Sequence, residues 1–142
     1  MTGKKKVLFI CTHNAARSQM AEGYLRAKYG DRYEAFSAGT EISRVHPMAI
    51  EVMKEIGIDI SGHHSKLLDE FSGKGIEIAV TVCDAGKKVC PFFPAKTILH
   101  QSFPDPSGFT GSDEEIRAGF RRVRDAIIRW IDATFGEVRN EE

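Results

Sequence analysis

A chain of 142 residues, 42% hydrophobic and 28% charged, is long enough for one domain that buries roughly 70% of the surface its unfolded form exposes. Twenty Lys and Arg balance twenty Asp and Glu, so the zero formal net charge excludes the global electrostatic footprint of a nucleic-acid or acidic-membrane binder; Lys4-Lys5-Lys6 and Arg121-Arg122-Val123-Arg124 read as solvated faces. No apolar run approaches the ~20 residues of a membrane-spanning helix, and three cysteines fit thiol chemistry in a reducing cytoplasm better than a static disulfide framework.

Val7 to Ile10 is an unbroken apolar run, the pattern of a strand buried on both faces. From Ser18 the apolar residues Met20, Ala21, Tyr24, Leu25 and Ala27 recur at helical spacing until Gly30. Tyr33 to Ala38 predicts a second strand running into a turn at Gly39-Thr40. Pro47 opens an amphipathic helix whose apolar face is Met48, Ala49, Val52, Met53 and Ile56, ending before Gly57. A turn at Ser61-Gly62 precedes a short helix through Leu67 and Leu68, and the adjacent His63 and His64 read as a surface turn with side chains pointing apart, not as a metal site.

Ile76 to Cys83 is β-branched through most of its length and predicts a third strand; Lys96 to His100 predicts a fourth. After the loop Gln101 to Gly111, Ser112 and Glu115 form a capping box. It opens a long helix whose face runs Ile116, Phe120, Val123, Ile127, Trp130 and Ile131 up to Phe135-Gly136, with Trp130 in the core. Strands alternating with helices predict a single α/β domain: a four-stranded parallel sheet flanked by helices on both faces, with its site at the carboxyl ends of the strands. That rule puts Cys11, Cys83 and Asp105 on one rim.

Cys11 stands where the first strand ends and a helix begins, followed by Thr12, His13, Asn14, Ala15, Ala16, Arg17 and Ser18. The amides of this loop at a helix N-terminus make an anion nest fit for a tetrahedral oxyanion, and Arg17 can pair two of its oxygens with its planar fork. The same field, with the Ser18 hydroxyl, favours the thiolate of Cys11, and Asn14 suits a left-handed position in mid-loop. Asp105, between Pro104 and Pro106, reads alone as a turn starter; over an oxyanion nest it reads as a general acid. Cys83 and Cys90 bracket a segment with Gly86, Lys87 and Lys88, where rearrangement would allow disulfide exchange and the lysines favour thiolates.

Cys11 through Ser18 resembles the C-x5-R-S phosphate-binding loop of the low-molecular-weight protein tyrosine phosphatase superfamily. With Gln19 to Gly23, Ser37-Ala38-Gly39, Cys83 to Cys90-Pro91 and Asp105-Pro106, the chain from about Lys6 to Phe135 is similar to the thioredoxin-coupled arsenate reductase branch. The resemblance implies arsenate as substrate, with phosphate or sulfate as competing oxyanions. It implies thioredoxin as electron donor, with a glutaredoxin-like partner plus a small thiol as the open alternative, no bound cofactor, and a monomer. It further implies a relay. Cys11 attacks arsenate while Asp105 protonates the leaving hydroxide; Cys83 then attacks Cys11 and expels arsenite; Cys90 attacks Cys83, and thioredoxin reduces the resulting disulfide.

Two departures matter. Ala16 stands where many relatives place a second loop cysteine, which leaves the relay intact. Some members hold a potassium ion behind the loop with residues like Asn14, Glu22 and Ser37 and an acidic residue near position 66; here Lys66 offers an ammonium instead, and no bound metal is expected. The rival reading is a low-molecular-weight protein tyrosine phosphatase using Cys11, Arg17 and Asp105 alone. Against it stand Ser107-Gly108 after the Asp-Pro pair, where phosphatases of the superfamily carry tyrosines for the substrate ring.

Overall fold

The computed structural model describes residues 4–82 and 93–136. Within them run β1 (Lys5–Cys11), α1 (Arg17–Tyr29), β2 (Tyr33–Gly39), α2 (Pro47–Lys54), a 3₁₀ helix (Leu68–Phe71), β3 (Ile78–Thr81), β4 (Thr97–His100), a second 3₁₀ turn (Pro106–Gly108) and α3 (Asp113–Phe135). The strands form one sheet in the order β2-β1-β3-β4, every pair parallel. The β3 ladder is shorter than the run Ile76 to Cys83 predicts. Glu77 and Val82 flank it with amides donated to the carbonyls of Lys6 and Ile10 at 3.0 and 2.9 Å, and Cys83 lies outside the described residues.

Alternation along β1, buried from Val7 to Cys11, splits the core in two. Val7, Phe9 and Cys11 face a large cluster with Met20, Leu25, Val52, Phe120, Ile127, Ile131 and Phe135; Leu8 and Ile10 face a smaller one with Ala79 and Phe93, flanked by Leu68 and Phe71. Helical elements cover both faces, unequally: α1, α2 and α3 on one, the 3₁₀ helix Leu68–Phe71 on the other. The chain steps from β1 outward to β2, then back across β1 to β3. This second connection carries α2 on the face of α1 and α3 before it passes to the other face at Leu68–Phe71. The end of β1 is therefore the point where the topology switches, the place where open parallel sheets hold ligands.

Local signals set the helix ends. Ser112 Oγ accepts from the amide of Glu115 at 3.1 Å while Glu115 Oε1 accepts from the amide of Ser112 at 2.7 Å. At α2, Pro47 occupies the first turn and His46 is the cap, its Nδ1 accepting from the amide of Met48 at 3.1 Å. Trp130 is half-buried and packs edge-on against Phe103 and Phe135. One expectation fails: Arg124 is not on a solvated face. It is buried, and its guanidinium donates to the carbonyl of Val52 at 2.8 Å and to Glu55 at 3.0 Å, clamping α3 onto the last turn of α2, where a cation also meets the negative end of the helix.

Candidate active site

Cys11 is the last residue of β1 and is 2% exposed. Its Sγ lies 2.9 Å from Ser18 Oγ, which in turn accepts from Asn14 Nδ2 at 2.8 Å. Because Asn14 fills an acceptor position on the hydroxyl, the single proton of Ser18 remains for the sulfur, an arrangement that suits a thiolate. Asn14 is held as firmly: it is fully buried, its Oδ1 accepts from the Lys66 amide at 2.8 Å, and its carbonyl accepts from Gln19 Nε2 at 3.0 Å. Its φ of 53° is the left-handed geometry expected in mid-loop.

The loop is packed against the end of β2. A Cβ on Gly39 would stand 2.5 Å from the carbonyl oxygen of Thr12 and 2.7 Å from that of Cys11, so only glycine lets the two backbones approach this closely. Thr12 O accepts from the amides of Thr40 and Glu41 at 2.9 and 3.1 Å; Ala15 O accepts from His46 at 2.9 Å. His46 is thus tied to the loop by its backbone and to α2 by its ring, which lies 4.7 Å from Phe120; burial holds the imidazole below its ordinary titration range, with Asp105 opposing. Ser65, which pattern reading passed over, donates its hydroxyl to the carbonyl of His13 at 3.0 Å.

Arg17 collects the rim. Its side chain is 7% exposed, and its Nη1 donates to the carbonyls of Val82 at the end of β3 and Phe103 after β4, both at 3.2 Å. Its Nη2 is 3.5 Å from Asp105 Oδ2, on a side chain that is 36% exposed. Cys11, His13, Ala15, Ala16, Arg17 and Asp105 line one narrow cleft. The structure therefore brings together Cys11, Arg17, Ser18 and Asp105 with the loop from Thr12 to Ala16. Cys83 and Cys90 lie outside the described residues, although Val82, one residue before Cys83, is bound by Arg17.

Behind the loop, the buried Glu22 carboxylate accepts from Ser37 and from Arg26 and has Lys66 Nζ and His63 Nδ1 each 3.9 Å away. Burial lowers the titration of both Lys66 and His63, with Glu22 pulling the other way. His63 is therefore not a surface residue: its ring meets Gln19 Oε1 at 2.9 Å, while the neighbouring His64 is exposed, the two pointing apart as expected. Among the described residues no group of His, Cys, Asp and Glu has the arrangement of a metal site, and no helix is long and apolar enough to cross a membrane.

The family model for low molecular weight phosphotyrosine protein phosphatase matches residues 6–142. An arsenate reductase of Halalkalibacterium halodurans is 45% identical over 135 residues, covering 94% of this chain and 96% of its own. The solved structure of an arsenate reductase in the reduced state superposes with a TM-score of 0.76 at 32% identity, over 94% of this chain and 98% of that one. A thioredoxin-dependent arsenate reductase of Corynebacterium glutamicum matches with a TM-score of 0.63 at 28% identity, over 94% of this chain and 64% of its own.

Proposed function

Since the chain belongs to the low molecular weight phosphotyrosine protein phosphatase family, and the relatives described above are arsenate reductases, we propose that it reduces arsenate to arsenite at the Cys11 cleft and so serves arsenic detoxification. The observation that carries the reading is the chain Asn14 Nδ2 to Ser18 Oγ to Cys11 Sγ beside the Arg17–Asp105 pair. It arms a nucleophile and sets a cation and an acid over one cleft.

The Cys11 thiolate attacks arsenic, forming the S–As bond as an As–O bond breaks. Asp105, protonated, passes its proton to the departing hydroxide, which leaves as water. Arg17 and the amides of residues 12–17 hold the remaining oxygens and stabilise their growing charge. In the resting geometry Asp105 leans on Arg17, and the enclosed space of about 10 Å3 holds no more than one water, so an incoming oxyanion displaces the carboxyl from the guanidinium. That exchange leaves the acid free to meet the leaving oxygen.

The thiolate of Cys83 next attacks the sulfur of Cys11. The S–S bond forms, the S–As electron pair passes to arsenic, As(V) becomes As(III), and arsenite leaves. Cys90 then attacks Cys83, releasing Cys11 and leaving a Cys83–Cys90 disulfide for thioredoxin to reduce. The anchoring of Val82 at the rim by Arg17 supports Cys83 as the second thiol, and the thioredoxin-dependent neighbour supports the donor. A relay of this kind suits a monomer in a reducing cytoplasm. Lys66 supplies the positive charge beside Glu22, so the cleft works without a bound metal.

The test is arsenate-dependent NADPH oxidation with thioredoxin and thioredoxin reductase, for the parent, Cys83→Ser and Cys90→Ser. Loss of turnover in both variants is expected. Arsenate turnover that survives either substitution would overturn the relay, and hydrolysis of aryl phosphates without any arsenate reduction would replace the reading with that of a tyrosine phosphatase.

A further inference from the structure

His13 is the one side chain of the loop besides Arg17 able to carry positive charge, and the chemistry above uses only its backbone. That backbone is fixed: its carbonyl accepts from Ser65, and the next residue, Asn14, is buried and held by Lys66. The side chain is 52% exposed and reaches the mouth of the Cys11 cleft. Its Nε2 lies 3.1 Å from Oε1 of Glu41, which is 62% exposed and stands on the loop after β2. The same imidazole also borders a wider groove of about 360 Å3 formed with Ala15, Ser43, Arg44, His46 and Pro47.

The charges around the mouth make this pair informative. Inside the cleft the Arg17 guanidinium faces the Asp105 carboxyl, so an entering anion competes with that carboxyl for it. His13 places an imidazole N–H at the outer side, where the fourth oxygen of a tetrahedral ion would emerge from the nest. In the free protein Nε2 is already engaged by the Glu41 carboxylate. An exposed pair of this kind is rarely worth more than about fivefold in an equilibrium constant, so it is readily exchanged. A dianion seated between Arg17 and the loop amides presents more negative charge to the imidazole N–H than one carboxylate does.

We propose that His13 is a specificity-determining residue for tetrahedral dianions, exchanging the carboxylate of Glu41 for the outer oxygen of the bound oxyanion, with Glu41 acting as a built-in competitor. This rests on the reading of the cleft as an arsenate site, and it names what tunes that site's affinity. No bond is made or broken in the exchange. Both side chains are exposed, so their substitution leaves the fold in place.

The experiment uses the whole chain with His13→Gln, Glu41→Gln and the double variant. Calorimetry measures the affinity for inorganic phosphate, and the thioredoxin-coupled assay measures KM and kcat for arsenate. His13→Gln should weaken phosphate binding about three- to tenfold and raise the arsenate KM by a similar factor. Glu41→Gln should tighten phosphate about two- to fivefold, and should do nothing once His13 is gone. Equal binding by parent and His13→Gln, weaker or unchanged binding by Glu41→Gln, or additive effects in the double variant would each overturn the exchange. Because phosphate binding is read directly, rim effects that persist without arsenate turnover would count against the reductase reading and leave the exchange standing.

Discussion

Asn14→Asp isolates the hydrogen bond on which the nucleophile depends. The substitution keeps shape, tolerance of the left-handed φ of 53° and the oxygen that accepts from the Lys66 amide at 2.8 Å. What changes is the other end: a donor that gives Ser18 Oγ a 2.8 Å bond becomes an acceptor. The hydroxyl of Ser18, with one proton to give, then turns toward the carboxylate and away from Cys11 Sγ, now 2.9 Å from an oxygen lone pair. A hydrogen bond to a charged group contributes about 1.5–3 kcal/mol, and the buried site sharpens the new negative charge beside the sulfur. At 1.4 kcal/mol per tenfold, the reactivity of the Cys11 sulfur should fall about 10- to 100-fold. The assay is the rate of Cys11 alkylation by iodoacetamide in a Cys83→Ser/Cys90→Ser background, alongside a thermal melt. Alkylation should slow by that factor at pH 7. Parental alkylation in a folded Asn14→Asp variant would refute the claim that Ser18 donates to the sulfur.

Gly39→Ala places a Cβ 2.5 Å from the carbonyl of Thr12, backbone against backbone, and should cost about 1–3 kcal/mol of stability in denaturant titration and most of the anion affinity. Arg124→Met removes the donor to Val52 O and to Glu55 and should lower stability by about 1–3 kcal/mol, with little change in phosphate affinity because the clamp lies between α2 and α3. For His46 and His63, burial sets the folded titration below the ordinary 6.5, so between the two values the unfolded chain binds more protons. Their contribution to stability is therefore present above about pH 7 and lost as pH falls through 6.5 toward the folded values. Melts from pH 8 to 5 should show this decline, and it should be shallower in a His63→Gln variant; an unchanged slope would contradict the burial argument.

The elements that local chemistry dictates are the ones that reading in chain order finds. Val7 to Ile10 is too apolar to be anything but a buried strand, Ser112 and Glu115 cap α3 within four residues of each other, and Cys11 to Ser18 closes a nest through neighbours along the chain. Asn14 in the left-handed region belongs to the same class, since it answers a constraint imposed within its own loop, whereas the close approach at Gly39 comes from the pairing of β1 with β2.

Other features depend on which distant segments the strand order makes neighbours. Arg17 reaches carbonyls 65 and 86 residues away because β3 and β4 end on the rim beside β1. Arg124 looks like one more cation in a basic run until α3 lies against α2, and His63 like a surface histidine until Glu22 and Gln19 lie beneath it. Helical periodicity marks a face as apolar but does not say which helix will meet it, so the unequal cover of the two sheet faces was equally out of reach of pattern. Sequence alone determined the strand–loop–helix unit that holds the nucleophile, because its contacts are short in chain distance; tertiary structure decided what surrounds that unit, because those partners are set by crossover direction and strand order, which no local pattern encodes.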